Sequence, residues 1–206
     1  MKNMNSLNCY RFFRYIKMLF TLKIESYFNK LRFKAYLSFV GNFEIIGKNH
    51  IYVSKTAKMN VGRNFKLVSS HLINPLCTHP ASISVGDGAI VNIGDNVGMS
   101  SPTIWIRKSL TIGNNVNFGG GAIILDSDAH SLNYLHRRNG VKDMANRVDK
   151  GIVVGDDVLI GMNVIILKGV HIGARSIIGA GSVVAKDIPC DCIAAGNPAR
   201  VVKQIN

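Results

Sequence analysis

Residues 154–188 read VGDDVLIGMNVIILKGVHIGARSIIGAGSVVAKDI. Counting by six from Val154 lands on Ile160, Ile166, Ile172, Ile178 and Val184, all β-branched aliphatics. Counting by six from Val158 lands on Val164, Val170, Ser176, Ser182 and Ile188, all small or β-branched. Gly follows the first series at Gly155, Gly161, Gly173 and Gly179. An amphipathic helix repeats its apolar face every 3.6 residues and a strand every two, so neither produces a period of six. A coil with three flat faces does. Each face is a short strand, three faces close one turn, and each inward aliphatic stacks on its copy one turn away at the ~4.8 Å spacing of paired strands. Gly and Asn between the faces supply the backbone freedom that a sharp corner needs. The predicted fold class is therefore all-β, a parallel β-helix.

Upstream the pattern continues with interruptions. Ile106, Ile112, Phe118 and Ile124 keep the step of six, while Ile93 and Met99 are one residue out of phase, with Pro102 near the slip. Earlier corners are expected at Ile46-Gly47-Lys48-Asn49, Val61-Gly62-Arg63-Asn64 and Val85-Gly86-Asp87. Terminal coils of repeat proteins are commonly less regular. Residues 126–150 hold no repeat and are polar, which marks an insertion, and long loops in compact domains often carry function. The expected organisation is a basic, aromatic N-terminal extension over 1–40, a β-helix domain over 41–188 carrying that insertion, and a short C-terminal tail over 189–206.

The net charge of +13 is concentrated at the start, where residues 1–40 carry eight Lys or Arg against a single acid, Glu25. Ten aromatics between Tyr10 and Phe39 alternate with those cations. The segment reads either as helix covering the open first coil or as an interfacial helix on anionic lipid, giving peripheral membrane contact. No apolar run reaches membrane-spanning length, and Lys or Arg interrupts every such stretch, so neither a signal peptide nor a spanning helix is expected. Cys9, Cys77, Cys190 and Cys192 fit free thiols in a reducing cytoplasm; Cys190-Asp191-Cys192 lacks zinc-knuckle spacing and a second pair. The expected location is cytoplasmic, at the inner face of the membrane if residues 1–40 bind lipid. No nucleic-acid-binding module is present, so no nucleic acid partner is expected.

From Ile112 onward the chain resembles the hexapeptide-repeat acetyltransferases, and within them the galactoside and maltose acetyltransferases and their relatives that O-acetylate polysaccharides. The resemblance rests on Asp126-Ser-Asp-Ala-His130, Arg138-Asn-Gly140, the six repeats, Ile178-Gly-Ala-Gly-Ser-Val-Val184, Lys186-Asp-Ile-Pro189 and Ala194-Ala-Gly-Asn-Pro-Ala-Arg200. It implies a left-handed coil, a homotrimer with clefts between subunits, acetyl-CoA as co-substrate, no metal, and a sugar or polysaccharide-precursor hydroxyl as acceptor. It also implies that the loop histidine, His130, is the general base. Imidazole suits that task, because an alcohol attacks a thioester only when a base takes its proton. Asp126 or Asp128 could orient the imidazole or bind substrate. By the same resemblance Ala180, Lys186, Arg200 and Lys203 contact acetyl-CoA, and cations there match its phosphates. Two positions depart from the family: Leu159 stands where relatives usually have Trp, and Ala185 where they often have Thr. Two other readings stay open: a non-catalytic solenoid scaffold, which would not need an insertion carrying Asp128 and His130, and a γ-type carbonic anhydrase, whose histidine spacing His130 and His136 do not match.

Overall fold

The structure, a computed structural model, describes residues 2–205, with side-chain environments for 10–205 except 18, 39 and 40. The chain winds into a left-handed parallel β-helix with three faces. The first face stacks six strands, from Phe39–Val40 to His171–Ile172; the second stacks eight, from Phe43–Gly47 to Arg200–Gln204; the third stacks six, from Asn49–Val53 to Val183–Val184. Successive strands of the chain pass from first to second to third face, and each pairs in parallel with the strand one turn away.

The six-residue period becomes three inward ladders. On the second face Ile45, Leu67, Met99, Phe118, Ile160, Ile178 and Ala194 are in register from coil to coil. The first face stacks Val61, Ile93, Ile112, Val154 and Ile172; the third stacks Ile51, Ile83, Ile104, Ile124, Ile166 and Val184. Nearly all of these side chains are buried. Val158, Val164 and Val170 fill the corners, and where Ser replaces them the hydroxyl is satisfied: Ser176 Oγ donates to the Pro189 carbonyl (2.7 Å) and Ser182 Oγ to that of Gly179 (2.6 Å). The slip near Pro102 is resolved by register. The ladder partner of Ile124 is Ile104, not Ile106; Ile106 pairs with Val85 and is buried there. The corner from Met99 to Ile104 is one residue short, and the next, from Ile104 to Ile112, is two residues long. The extra length at Arg107 and Lys108 matters for the insertion.

At the first-to-second corner the left-handed residues are mostly Asn and Asp rather than Gly. Asn64, Asn96, Asn115 and Asp157 all have φ close to 58°, a region that Asn and Asp tolerate better than other side chains. Their side chains form a ladder: the amide of Asn64 donates to Asn96 (2.9 Å), that of Asn96 to Asn115 (2.9 Å) and that of Asn115 to Asp157 (3.0 Å). One coil on, Arg175 takes the same conformation and makes a two-point ion pair with Asp191 (2.5 and 2.7 Å). Glycine is required where coils meet backbone to backbone, as at Gly161, where a Cβ would lie 2.5 Å from the Ala180 nitrogen.

Both ends of the coil are closed. One helix, α1 (Lys2–Tyr36), begins the chain. Its Phe33 is fully buried, stacked on Phe65 (6.0 Å between centroids) and edge-on to Phe43 (5.2 Å), while Asn29 donates to the Gly47 carbonyl (2.9 Å). The cap reading of residues 1–40 therefore applies to the C-terminal part of α1. At the other end the segment expected as a tail extends the second face. Cys192–Ala195 adds a further rung, and after the cis Asn197–Pro198 bond Arg200–Gln204 returns antiparallel along it. Cys77, Cys190 and Cys192 are free thiols; the Cys9 side chain lies outside the described residues. Among the described residues no helix is long and apolar enough to cross a membrane.

Ile166 sits in the middle of the third ladder, fully buried between Ile124 and Val184. Ile166→Asp would bury an unpaired carboxylate and should abolish cooperative thermal unfolding, whereas Thr111→Asp, outward and exposed on the first face, should leave the melting temperature within a few degrees. Equal damage from both, measured by circular dichroism, would contradict this register.

Candidate active site

The insertion leaves the third face after Ile123–Leu125 and rejoins at Ile152–Val154 on the first. Its neck is closed. Lys150 N–H donates to the Asp126 carbonyl (2.8 Å), Ser127 and Asp149 form an antiparallel bridge, and Asp128 N–H donates to the Val148 carbonyl (3.1 Å). Ser127 Oγ also donates to the Asp149 carboxylate (2.5 Å). Beyond the neck lie two short helices, α2 (Tyr134–Arg137) and α3 (Gly140–Ala145). Asn133 caps the first and Asn139 the second, each side chain accepting a backbone N–H of its helix.

Asp126 is fully buried at the root of the insertion and accepts the backbone N–H groups of Arg107 (2.7 Å), Lys108 (2.7 Å) and Ser109 (2.9 Å). These donors come from the lengthened corner one coil below, which turns its amides toward the carboxylate. Burial pushes the Asp126 carboxyl above its usual range, and the three N–H donors act the other way by favouring the charged form. Asp126 makes no hydrogen bond to the imidazole; its three N–H partners tie the root of the insertion to the coil. Asp128 does not orient His130 either. Its Oδ1 pairs with Lys168 (3.3 Å), and its Oδ2 is buried without a partner. Lys168, one coil further along, thus ties the insertion to the coil.

The carboxylate on His130 is Asp143. His130 Nδ1 lies 2.6 Å from Asp143 Oδ2, and Asp143 Oδ1 accepts the N–H of Ser131 (2.7 Å). The Asp143 side chain is 9% exposed and that of His130 67%, so the acid is held inside the insertion while the imidazole reaches out. The bond to His130 first, and then the Ser131 N–H, hold the Asp143 carboxyl below the ordinary carboxylate range. It is ionised at neutral pH and so acts as acceptor for an Nδ1–H, and in that neutral tautomer of the ring the lone pair is on Nε2. Ala129, at φ 63°, makes the tight turn that sets this geometry, with His130 N–H donating to the Asp128 carbonyl (2.7 Å). His136 instead faces Ser131 Oγ (3.1 Å). Asp143 was open to the sequence as the one acid between Asp128 and Asp149, four residues after a capping Asn.

The positions expected to contact acetyl-CoA fall at two corners. Lys186 is exposed just after Val183–Val184, at the corner that also carries Lys168 and the insertion. Ala180 lies at the preceding corner. Arg200 is beside it, because Arg200 pairs with Ala195, whose Cβ sits against Gly179. Lys203 is further along the same strand, opposite Ile193. The third face separates these two groups within one chain. Leu159 is exposed on the second face and Ala185 is exposed beside Lys186. Among the described residues no three His, Cys, Asp or Glu side chains gather as a metal-ligand set.

The family model described as Bacterial transferase hexapeptide (six repeats) matches residues 151–186, the most regular stretch of the coil. The chain is 38% identical over 120 residues to the galactoside O-acetyltransferase of Escherichia coli K12, a match that covers 58% of this chain and 56% of that enzyme. It spans about half the length of the curated relatives it matches. Among solved structures it is similar to a hexapeptide-repeat acetyltransferase of Vibrio cholerae complexed with acetyl-CoA, at 28% identity and a TM-score of 0.50, covering 84% of this chain and 74% of that one. An N-acyltransferase of Bacillus cereus shares the fold, with a TM-score of 0.67 at 19% identity and coverage of 86% and 89%.

Proposed function

We propose that this protein is an acetyl-CoA-dependent O-acetyltransferase acting on the hydroxyl of a sugar or polysaccharide precursor, with His130 as general base. The observation that carries the reading is the pair His130–Asp143: an exposed imidazole on an insertion, held at Nδ1 by a buried carboxylate. The similarity to a galactoside O-acetyltransferase and to an acetyl-CoA-bound neighbour supplies the reaction class. Acetyl-CoA provides the acetyl group as a thioester. His130 Nε2 takes the proton of the acceptor hydroxyl as its oxygen bonds to the acetyl carbon, and returns a proton to the departing thiolate. Asp143 steadies the imidazolium between those events. Asp128, whose Oδ1 pairs with Lys168, supports the insertion two residues before His130 rather than meeting the acceptor, since its unpartnered Oδ2 is buried.

A molecule held by Lys186 and by Arg200 must cross the third face or lie between two chains. That face presents a half-buried apolar column outward, Ile123, Ile165 and Val183 in register, with Leu125 beside Trp105. Packing it against a neighbour would bury the column and bring one chain's Lys186 toward another chain's Arg200. This supports the homotrimer, with acetyl-CoA in the clefts. Light scattering should give three times the 22.5 kDa chain mass; a monomer at working concentration contradicts the cleft.

Release of free thiol from acetyl-CoA, followed against a panel of sugars and nucleotide sugars, tests the reaction. With an acceptor in hand, His130→Ala should lower turnover by ~10²–10⁴, the usual contribution of a general base, without changing the melting temperature. Asp143→Asn can present an N–H to Nδ1 and so favour the tautomer whose Nε2 is protonated. It should lower kcat by a comparable factor while the KM for acetyl-CoA stays near that of the parent. His136→Ala is the control. Near-normal turnover by the His130 variant, or loss only in the His136 variant, overturns the assignment.

Lys186→Ala with Arg200→Ala removes two cations from positions matched to cofactor phosphates, far from the reacting carbonyl. Binding of that kind is shared by ground and transition states, so the KM for acetyl-CoA should rise about tenfold or more while kcat changes little. Unchanged saturation by acetyl-CoA would remove both residues from the cofactor site.

A further inference from the structure

We propose that α1 is a membrane-surface helix whose outward stripe beds into a bilayer of anionic lipid. Apolar residues fall on two opposite sides of this helix. At about 100° per residue, Asn29 and Phe33 lie on the side that meets the first coil, and both are buried. Phe13, Ile16, Phe20, Ile24, Tyr27 and Leu31, spaced by threes and fours, fall within an arc of about 80° on the far side. All six are 43–67% exposed. The cap buries the first side; on the second Phe13, Ile16 and Phe20 stand clear of the coil, and Ile24, Tyr27 and Leu31 border clefts against it but keep 43–61% of their surface exposed.

The charge around the stripe selects the occupant. Lys17 lies on one flank and Lys23, Lys30 and Lys34 on the other, with Arg14 and Arg32 further round toward the first coil. Glu25 is the one acid between Tyr10 and Tyr36. A second copy of the helix laid along the stripe would set these cations against cations on both flanks, the arrangement that disfavours a coiled coil. An anionic bilayer answers both features: headgroups meet the flanks while the aromatics and aliphatics enter the interface. The helix is too polar to cross the membrane, so it would lie in the surface plane, holding the coil beside it through Phe33 and Asn29.

The test is flotation of the full chain with vesicles of about 30% phosphatidylglycerol in phosphatidylcholine, against phosphatidylcholine alone. Partition should be about tenfold or more stronger on the anionic vesicles and should weaken as salt screens the flanks. Phe20→Asp combined with Ile24→Asp should lower partition about tenfold, with the melting temperature and solution mass of the parent. Lys23→Gln with Lys30→Gln, which leaves the stripe untouched, should weaken binding to anionic vesicles and leave the residual binding to neutral ones unchanged. Failure of the parent chain to float, stripe variants that float like the parent, or a change in solution mass on altering the stripe would each overturn the proposal, the last by showing that copies of the chain cover it. Partition, not turnover, is read, so the outcome is separate from that of the acetyl-transfer assay.

Discussion

Each coil must set an aliphatic side chain on its copy one turn away, at the separation of hydrogen-bonded strands. Much else in the molecule follows from that requirement. Strands only two to five residues long cannot bury a core by themselves; stacked in register they form three continuous ladders from Ile45 to Ala194, from Val61 to Ile172 and from Ile51 to Val184. The same spacing leaves no room for a Cβ at corners such as Gly161. It also puts the Asn side chains of the first-to-second corner within reach of one another, so that each satisfies the next. The open ends are where the stacking stops, and there a buried Phe33 and an antiparallel strand finish the ladders.

The site uses this rigidity at one remove. The coil does not itself carry His130; it carries the root of the insertion. A lengthened corner offers three N–H groups to Asp126, and Lys168 from another coil holds Asp128. The closed neck then delivers α3, and α3 delivers Asp143 to His130. The His130 imidazole is thus positioned through a chain of contacts that begins in the most regular part of the molecule.

Residues 154–188 made the fold legible because a period of six has no other common physical cause, and every inward position read there is buried. Reading weakened where corner lengths vary: Ile106 keeps the step of six from Ile112, yet the rung beneath Ile124 is Ile104, because a corner one residue short is followed by one two residues long. His130 was legible from its place in a motif. Its carboxylate partner was not, because nearness in sequence favoured Asp126 and Asp128, whereas a two-helix excursion brings Asp143 back over thirteen residues. No periodicity encodes that contact; it depends on where two short helices stop. The double-sided character of α1 was half legible, since the cap and the basic, aromatic surface were set against each other when the helix presents both.

The neck of the insertion has a consequence for how such a protein can change over generations. The strands on either side, Ile123–Leu125 and Ile152–Val154, are held by neighbouring coils, and the entropy of closing a loop between fixed ends grows only as the logarithm of its length. Residues can be added, removed or replaced beyond the Ser127–Asp149 bridge at little cost to the coil. Selection can therefore try new segments there as interchangeable cassettes on an unchanged frame, constrained mainly to keep one carboxylate within reach of one imidazole.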